Sequence, residues 1–389
     1  MKEVVLVSAV RSAVGKGKKD GGLASVHAVD LSADLMRAAI DKVDLDPATI
    51  DDVFWGCAMP EATQGLNVAR LAWLRAGLPV EVPAATINRF CSSGLQTIAL
   101  AAQEIMSDMA DVVLAGGVEM MSQVPMSGYH TRLDPELTES YIGMGFTAER
   151  VAERWKVTRE DQDRWALASQ QKAANAMSAG AFDSQIIPVS VEQATWNGAH
   201  KETTTAQFGR DELPRPDTTI EGLAKLRPAF KANGTVTAGN ASPYSDGAAA
   251  VLLMTADRAN KLGLKPLARF ITFAAAGVEP DVMGVGPIKA VPKALKRAGL
   301  KMKDVDLIEF NEAFAAQVVA VVRELGMPED NVNVNGGAIA LGHPLGATGS
   351  KLTTQLVHEL GKRGGGTGLV TMCIGGGMGA AGLFEVYAA

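Results

Sequence analysis

The sequence predicts an α/β protein built from two copies of one strand-and-helix unit, with a long insertion. Three observations predict it. Short β-branched runs alternate with segments of helical period along most of the chain, as in a sheet with helices packed on it. Strand-like stretches recur in the same order in both halves: 50–56 echoes 305–311, 84–88 matches 331–335, and 111–117 matches 368–373 running on into Gly375, Gly376 and Gly377. Between Val118 and about Tyr244 the texture changes to Met-, Ser-, Pro- and Gly-containing segments, as expected of an insertion that carries ligand specificity. This gives a first half at 1–118, completed by about 244–266, an insertion at 119–243 and a second half at 267–389.

In chain order, 3–9 reads as a strand, followed at 11–19 by a Gly-punctuated basic loop. Such a loop could meet an anion, but so short a run is more often simply solvated. A helix is expected at 28–43, a strand at 50–55, a helix at 67–76 and a buried strand at 80–87. The helix that follows repeats apolar residues from Leu95 to Met106, and Ser93 with Gln96 three residues on reads as its capping box. Residues 111–116 form the next buried strand. In the insertion, Met120, Met121 and Met126 suggest an interface or pocket wall. Helices are expected at 147–155 and 159–178, the second capped by Thr158 with Asp161, and 195–219 reads as a polar hairpin. Strands at 248–254, 267–275, 305–310, 332–335, 369–373 and 382–387 then alternate with helices at 257–262, 288–298, 313–325 and 350–361.

Composition narrows the function classes. The 389 residues suffice for two or three domains with substantial cores. With 37 basic against 43 acidic side chains and a net charge of −6, a nucleic-acid binder is disfavoured. No apolar run is long enough to span a bilayer, the start enters a strand without a secretory h-region, and the end carries no anchor signal. Three cysteines, an odd count without CxxC, fit free thiols in a reducing compartment, so a cytoplasmic protein is expected.

Four loops carry candidate chemistry. Cys91 sits in a tight turn between strand and helix, where N–H groups and the helix dipole favour a thiolate nucleophile. A lone Cys is more often a small buried residue, so the other loops have to tip the balance. Gly342-His343-Pro344-Leu345-Gly346 places a histidine in a glycine turn before a helix, and the duplication sets that turn opposite Cys91, as a base and electrostatic partner. Cys373 ends a strand and is followed by glycines that expose N–H groups to a developing oxyanion. Asn311 opens a helix after a buried strand; it reads first as an N-cap, and its amide could also hold a water near the thiol. The GxGxxG at 377–382 has no room for a βαβ unit, and the P-loop-like 346–351 lacks Lys directly after its second Gly, so neither is a nucleotide site. No metal-ligand spacing and no GxSxG elbow is present.

Taken together these loops closely resemble the thiolase family, over essentially the whole chain. The matches are the turn around Cys91, Asn311-Glu312-Ala313-Phe314, Gly342-His343-Pro344, Cys373 with its glycines, 225–230 and 239–242. The resemblance implies the thiolase fold: two βαβαβαββ halves in five αβαβα layers with an inserted loop domain. It also implies cleavage of a 3-ketoacyl-CoA by CoA to acetyl-CoA and a shortened acyl-CoA, or the reverse condensation, with CoA as substrate and no tightly bound cofactor. By the same resemblance Cys91 is the acylated nucleophile and Cys373 the acid and base, with a thiol pKa near neutrality. His343 with a water on Asn311 would steady the enolate, and the N–H groups of Cys91 and Gly375 the other oxyanion. Arg215, Ser242, Met144 and Phe230 would bind CoA, although Arg215 alone would read as a solvated charge. A homotetramer of dimers and association with a hydratase/dehydrogenase subunit are further implications.

The wording around Cys91 resembles degradative 3-ketoacyl-CoA thiolases of β-oxidation. At 140–145 the Gly-Tyr-His-Met-Gly common in acetoacetyl-CoA thiolases is replaced by a segment without His. Acetoacetyl-CoA and 3-oxoadipyl-CoA thiolases are the alternatives within the family. A non-catalytic acyl-CoA carrier would not need Cys91, His343 and Cys373 together. A decarboxylating ketoacyl synthase typically pairs its Cys with two histidines.

Overall fold

The computed structural model of the chain describes residues 2–124, 133–197 and 200–389. In the first half come β1 (Val4–Ser12), the short β2 (Gly15–Lys16), α1 (Ala28–Asp41), β3 (Asp52–Gly56), α2 (Val68–Arg75), β4 (Ala85–Ile87), α3 (Ser93–Met106) and β5 (Val112–Met120). The insertion holds α4 (Met144–Arg154), α5 (Arg159–Ser178), β6 (Ile186–Ile187), the hairpin β7 (Val189–Asn197) and β8 (His200–Phe208), and α6 (Ile220–Ala224). After it come β9 (Ser245–Thr255), α7 (Ala256–Lys261), β10 (Ala268–Gly277), α8 (Gly286–Ala298), β11 (Leu307–Phe310), α9 (Ala315–Leu325), α10 (Ala338–Leu341), α11 (Leu345–Lys362), β12 (Gly366–Ile374) and β13 (Met378–Val386).

The predicted duplication is visible in the strand order β11-β12-β13-β10-β1-β9-β5-β3-β4. From the β1–β10 pairing outward, each side runs antiparallel twice and then parallel: β1-β9-β5-β3 on one side, β10-β13-β12-β11 on the other. β4 adds a parallel edge to β3, and its counterpart is the single bridge from Val332 to Ile308. Three apolar clusters separate five layers. One joins α1 and α2 to the first half-sheet, a central one joins α3 and α11 to both half-sheets, and a third joins α8 and α9 to the second half-sheet. The five-layered αβαβα fold expected from the resemblance is therefore present.

Local expectations fail where a side chain replaces backbone pairing or the chain turns early. The strand expected at 80–87 shrinks to Ala85–Ile87, half-buried at the sheet edge, with Val80 63% exposed. No strand forms at 332–335: Asn333 takes φ +47°, and its side chain accepts from Phe310 N and donates to Phe310 O, standing in for a neighbouring strand. Ser93 does not cap α3 with Gln96; its hydroxyl turns back, accepting from Arg89 N at 2.9 Å and donating to Phe90 O at 2.7 Å. The Thr158–Asp161 capping box forms as expected on α5. The hairpin in the insertion runs from Val189 to Phe208 rather than over 195–219. Arg11 does not belong to a solvated loop: it lies buried at the end of β1, paired at 2.8 Å through both terminal guanidinium nitrogens with buried Asp211. Of the methionine cluster, Met120 and Met121 are buried, and Met126 lies outside the described residues. Among the described residues no helix is long and apolar enough to cross a membrane.

Candidate active site

Both central helices bring their N-termini to one place. Cys91 precedes α3 and His343 precedes α11, and the two helices pack together near these ends. Close approach depends on glycine. A Cβ on Gly349 of α11 would stand 2.1 Å from Leu95 N on α3, and one on Gly117 of β5 would stand 2.1 Å from Gly346 O.

The Cys91 turn is strained and pinned. Phe90 holds φ +43°, a left-handed conformation that costs an aromatic residue roughly 1–3 kcal/mol. Asn88 offsets that cost: its Oδ1 accepts from Phe90 N at 2.8 Å, and its Nδ2 donates to Ala58 O at 3.0 Å. Cys91 is 9% exposed, and backbone N–H groups of Gly375 and of Cys91 itself point at its sulfur. These are the two N–H groups that the resemblance assigns to an oxyanion hole, and here both are directed at the sulfur.

Thiol acidity departs from expectation. Burial pushes the Cys91 thiol up to about 12, with the N–H groups of Gly375 and Cys91 pulling the other way and Glu119 adding to the rise. The helix dipole does not overcome desolvation, so burial favours the thiol over the thiolate at Cys91. Cys373, wholly buried in β12, is raised well above its ordinary value, first by burial and then by the nearby Cys91 sulfur. That direction runs against its expected near-neutral pKa, and the effect of Cys91 on it marks the two sulfurs as neighbours.

His343 is fixed on both ring nitrogens. Thr348 Oγ1 donates to Pro344 O at 2.9 Å, so it accepts from His343 Nδ1 at 2.6 Å. Nε2 is then the bare nitrogen, 3.3 Å from Asn311 Nδ2. Burial pushes the imidazole down to about 3, with Lys351 acting in the same direction, so the ring is neutral. Asn311 is not the N-cap its position suggests, since α9 starts at Ala315. Its side chain is buried against His343, and its Oδ1 has no hydrogen-bond partner among the described residues. That acceptor is where the expected water would sit. His343 N donates to Ser245 Oγ at 3.0 Å, which fastens the histidine loop to the start of β9.

Three of the four expected CoA-binding residues adjoin these loops. The Met144 sulfur and the Phe90 ring face Gly375, each within 4 Å of where its Cβ would stand. Phe230 packs edge-on against Phe314 at 6.2 Å and Phe146 at 6.3 Å. Ser242 donates to Ala313 O from both its N–H (3.0 Å) and its hydroxyl (3.1 Å). Arg215 stands apart, exposed, with its backbone N–H donating to Gln170 Oε1 at 2.8 Å.

Sequence reasoning missed Thr348, Glu119 and Gln64. Glu119 accepts from Ala58 N at 2.9 Å, Met59 N at 3.2 Å and Gly346 N at 2.8 Å, and also from Gln64 Nε2. Its signal was available: a lone carboxylate closing the otherwise apolar run of β5.

Known proteins share this arrangement of halves. Residues 4–257 match the family model described as "Thiolase, N-terminal domain" and 264–386 match "Thiolase, C-terminal domain". A 3-ketoacyl-CoA thiolase of Bacillus subtilis is 54% identical, over 99% of this chain and 100% of that protein. Among solved structures, a Bacillus anthracis acetyl-CoA acetyltransferase superposes with TM-score 0.91 at 40% identity, covering 99% of each chain. Human mitochondrial 3-ketoacyl-CoA thiolase does so at 0.88 and 42%, covering 100% of this chain and 99% of that one. A duplicated five-layered fold, matched in both halves by family models and followed end to end by such relatives, leaves one conclusion: the chain belongs to the thiolase family of acyltransferases.

Proposed function

We propose that this protein cleaves 3-ketoacyl-CoA with CoA, releasing acetyl-CoA and a chain-shortened acyl-CoA, as a degradative thiolase. What supports the reading is the nearness of the Cys91 and Cys373 thiols, with the Gly375 N–H directed at Cys91, beside the hydrogen bond between Asn311 and His343. Cys91 attacks the keto carbon. Because its thiol is held protonated, the proton leaves during attack, and the bare Nε2 of neutral His343 is the base on hand. Once protonated, Nε2 becomes a donor and, with a water on Asn311 Oδ1, steadies the enolate of the leaving acetyl-CoA. Cys373 gives that carbanion its proton and later takes one from the incoming CoA thiol, whose sulfur displaces Cys91 from the acyl group as the proton on His343 returns to the departing Cys91 sulfur. The N–H groups of Cys91 and Gly375 receive the oxyanion on the acyl group joined to Cys91.

Met144, Phe230 and Ser242 line the approach for the pantetheine, and Arg215 meets the CoA phosphates from the surface. Residues 119–243 act as the binding module on a core formed by the two halves. The half-buried edge strand β4, beside Leu66 at 88% exposure, supports a homo-oligomer of dimers. Association with a hydratase/dehydrogenase subunit would pass it substrate, and three free thiols suit a reducing cytoplasm.

Steady-state thiolysis across acetoacetyl-CoA, medium-chain and long-chain 3-ketoacyl-CoA tests the reading. Highest kcat/KM on substrates longer than acetoacetyl-CoA is expected. Turnover confined to acetoacetyl-CoA would assign the acetyl-CoA acetyltransferase reaction instead, and no turnover with any of them would overturn the proposal.

A further inference from the structure

We propose that Glu119 is a positioning residue for the reaction, its carboxylate tying the Cys91 turn to the His343 loop. The inference rests on the functional reading above. The connection can be followed bond by bond. Asn88, three residues before Cys91, donates its Nδ2 to Ala58 O, and Ala58 N donates to Glu119 Oε2 at 2.9 Å. The same oxygen accepts from Gly346 N at 2.8 Å, three residues after His343. Glu119 Oε1 takes Met59 N and Gln64 Nε2, and Gln64 is itself held by Met120 N, donating to its Oε1 at 2.8 Å. One buried carboxylate thus holds the His343 loop directly and the Cys91 turn through Ala58 and Asn88.

The chemistry of the group fits no substitute. Every donor aimed at Glu119 is an N–H, and only an ionised carboxylate offers acceptors on both oxygens. Gly346 lies in the first turn of the 18-residue α11, where the helix dipole favours a negative charge. Isolation in the core opposes that charge and pushes the carboxyl up to about 7, so four hydrogen bonds are spent on holding an ion that desolvation resists. The Gly346 carbonyl is pressed into the space left by the missing side chain of Gly117, two residues before Glu119, so the contact admits little play. Turning the side chain to an amide would aim an NH2 at an N–H and shift one loop against the other.

The test is thiolysis of acetoacetyl-CoA by purified full-length Glu119→Gln and Glu119→Asp, beside Cys91→Ser. Glu119→Gln should lose roughly 10- to 100-fold in kcat, the scale on which a misplacement of about 1 Å acts, with KM within about three-fold of the parent. Glu119→Asp should recover part of the loss. Ile40→Ala, a cavity in the outer core far from the loops, should lower Tm while keeping kcat. Should Glu119→Gln fail to fold, Gln64→Met removes one support and should show the same kcat-against-KM split at several-fold. Parental kcat in Glu119→Gln, or a loss that Ile40→Ala reproduces at equal Tm, overturns this inference while an inactive Cys91→Ser leaves the functional reading standing. A fully active Cys91→Ser would remove the functional reading and this inference with it.

Discussion

Asn311 Nδ2 donates to His343 Nε2 across 3.3 Å, while the other end of the same amide, Oδ1, is buried without a partner among the described residues. One side chain thereby engages the bare nitrogen of the histidine and offers an acceptor to a water. Asn311→Ala should lower kcat for thiolysis by ~10²–10³, the usual effect of removing one oxyanion donor. Acylation of Cys91 by a simple acyl-CoA, which forms no enolate, should survive. Stopped-flow thiolysis beside mass spectrometry of the acyl-enzyme checks the split, and equal losses in both steps would contradict it.

Cys373 is expected to act only where a carbanion forms. Cys373→Ser should keep the Cys91 acyl-enzyme and lose ~10²–10⁴ of thiolysis, since an alcohol is a far weaker acid than a thiol. Cys91→Ser should abolish both. Thiolysis by Cys373→Ser at the parental rate would reduce Cys373 to a buried thiol.

Limiting iodoacetamide should modify Cys91 before Cys57 or Cys373, and activity should fall with it. The basis is access: Cys91 retains 9% exposure, whereas the other two cysteines are wholly enclosed. Peptide mapping after partial inactivation reads the order, and early labelling of Cys57 with activity kept would count against the assignment.

Two histidines should make the fold sensitive to acid. Burial holds His343 down to about 3 and His358 down to about 4, so below pH 6.5 the unfolded chain takes up protons that the folded one refuses. Their contribution is complete above about 6.5 and is lost as pH falls through the folded values. Urea midpoints between pH 7 and pH 4.5 should therefore fall more steeply for the parent than for His358→Gln, by up to ~1.4 kcal/mol per pH unit. Carboxylates raised by burial, such as Glu119 and Asp246, slope the other way, and the comparison with the variant cancels them.

Breaking the ion pair between Arg11 and Asp211 should damage stability more than chemistry. Both side chains are almost wholly buried, and Asp211→Asn leaves the guanidinium without its counter-charge, a loss of ~3–5 kcal/mol. Chemical denaturation with kcat measured on the folded fraction checks it; an unchanged midpoint would contradict it.

Period and β-branching made most of the fold legible, because the strands and helices here bury continuous apolar faces, and α5 was legible to its capping residues. The paired stretches of the two halves foretold which strands occupy equivalent places in the sheet. What escaped was decided by single side chains acting at long range. Asn333 imitates a strand where one was expected, and Ser93 bonds backward where a forward cap was expected. The thiol acidities escaped as well, since a helix N-terminus is visible in sequence and the degree of enclosure around a sulfur is not. Glu119 went unread because three of its four partners are backbone N–H groups, which carry no residue identity.

The shared helical layer governs how the chain reaches its folded state. α3 and α11 start about 250 residues apart, yet each supplies the other's packing surface. A nascent chain that has emerged only through β5 therefore displays the apolar flank of α3 with nothing to cover it. Each duplicated unit closes an outer core with its own helices, but the central layer they share stays open until the last quarter of the polypeptide, and loop closure over that span slows the search. Cutting the gene between the repeats should yield two insoluble pieces rather than two small domains, and chaperone capture during synthesis becomes a requirement of the topology.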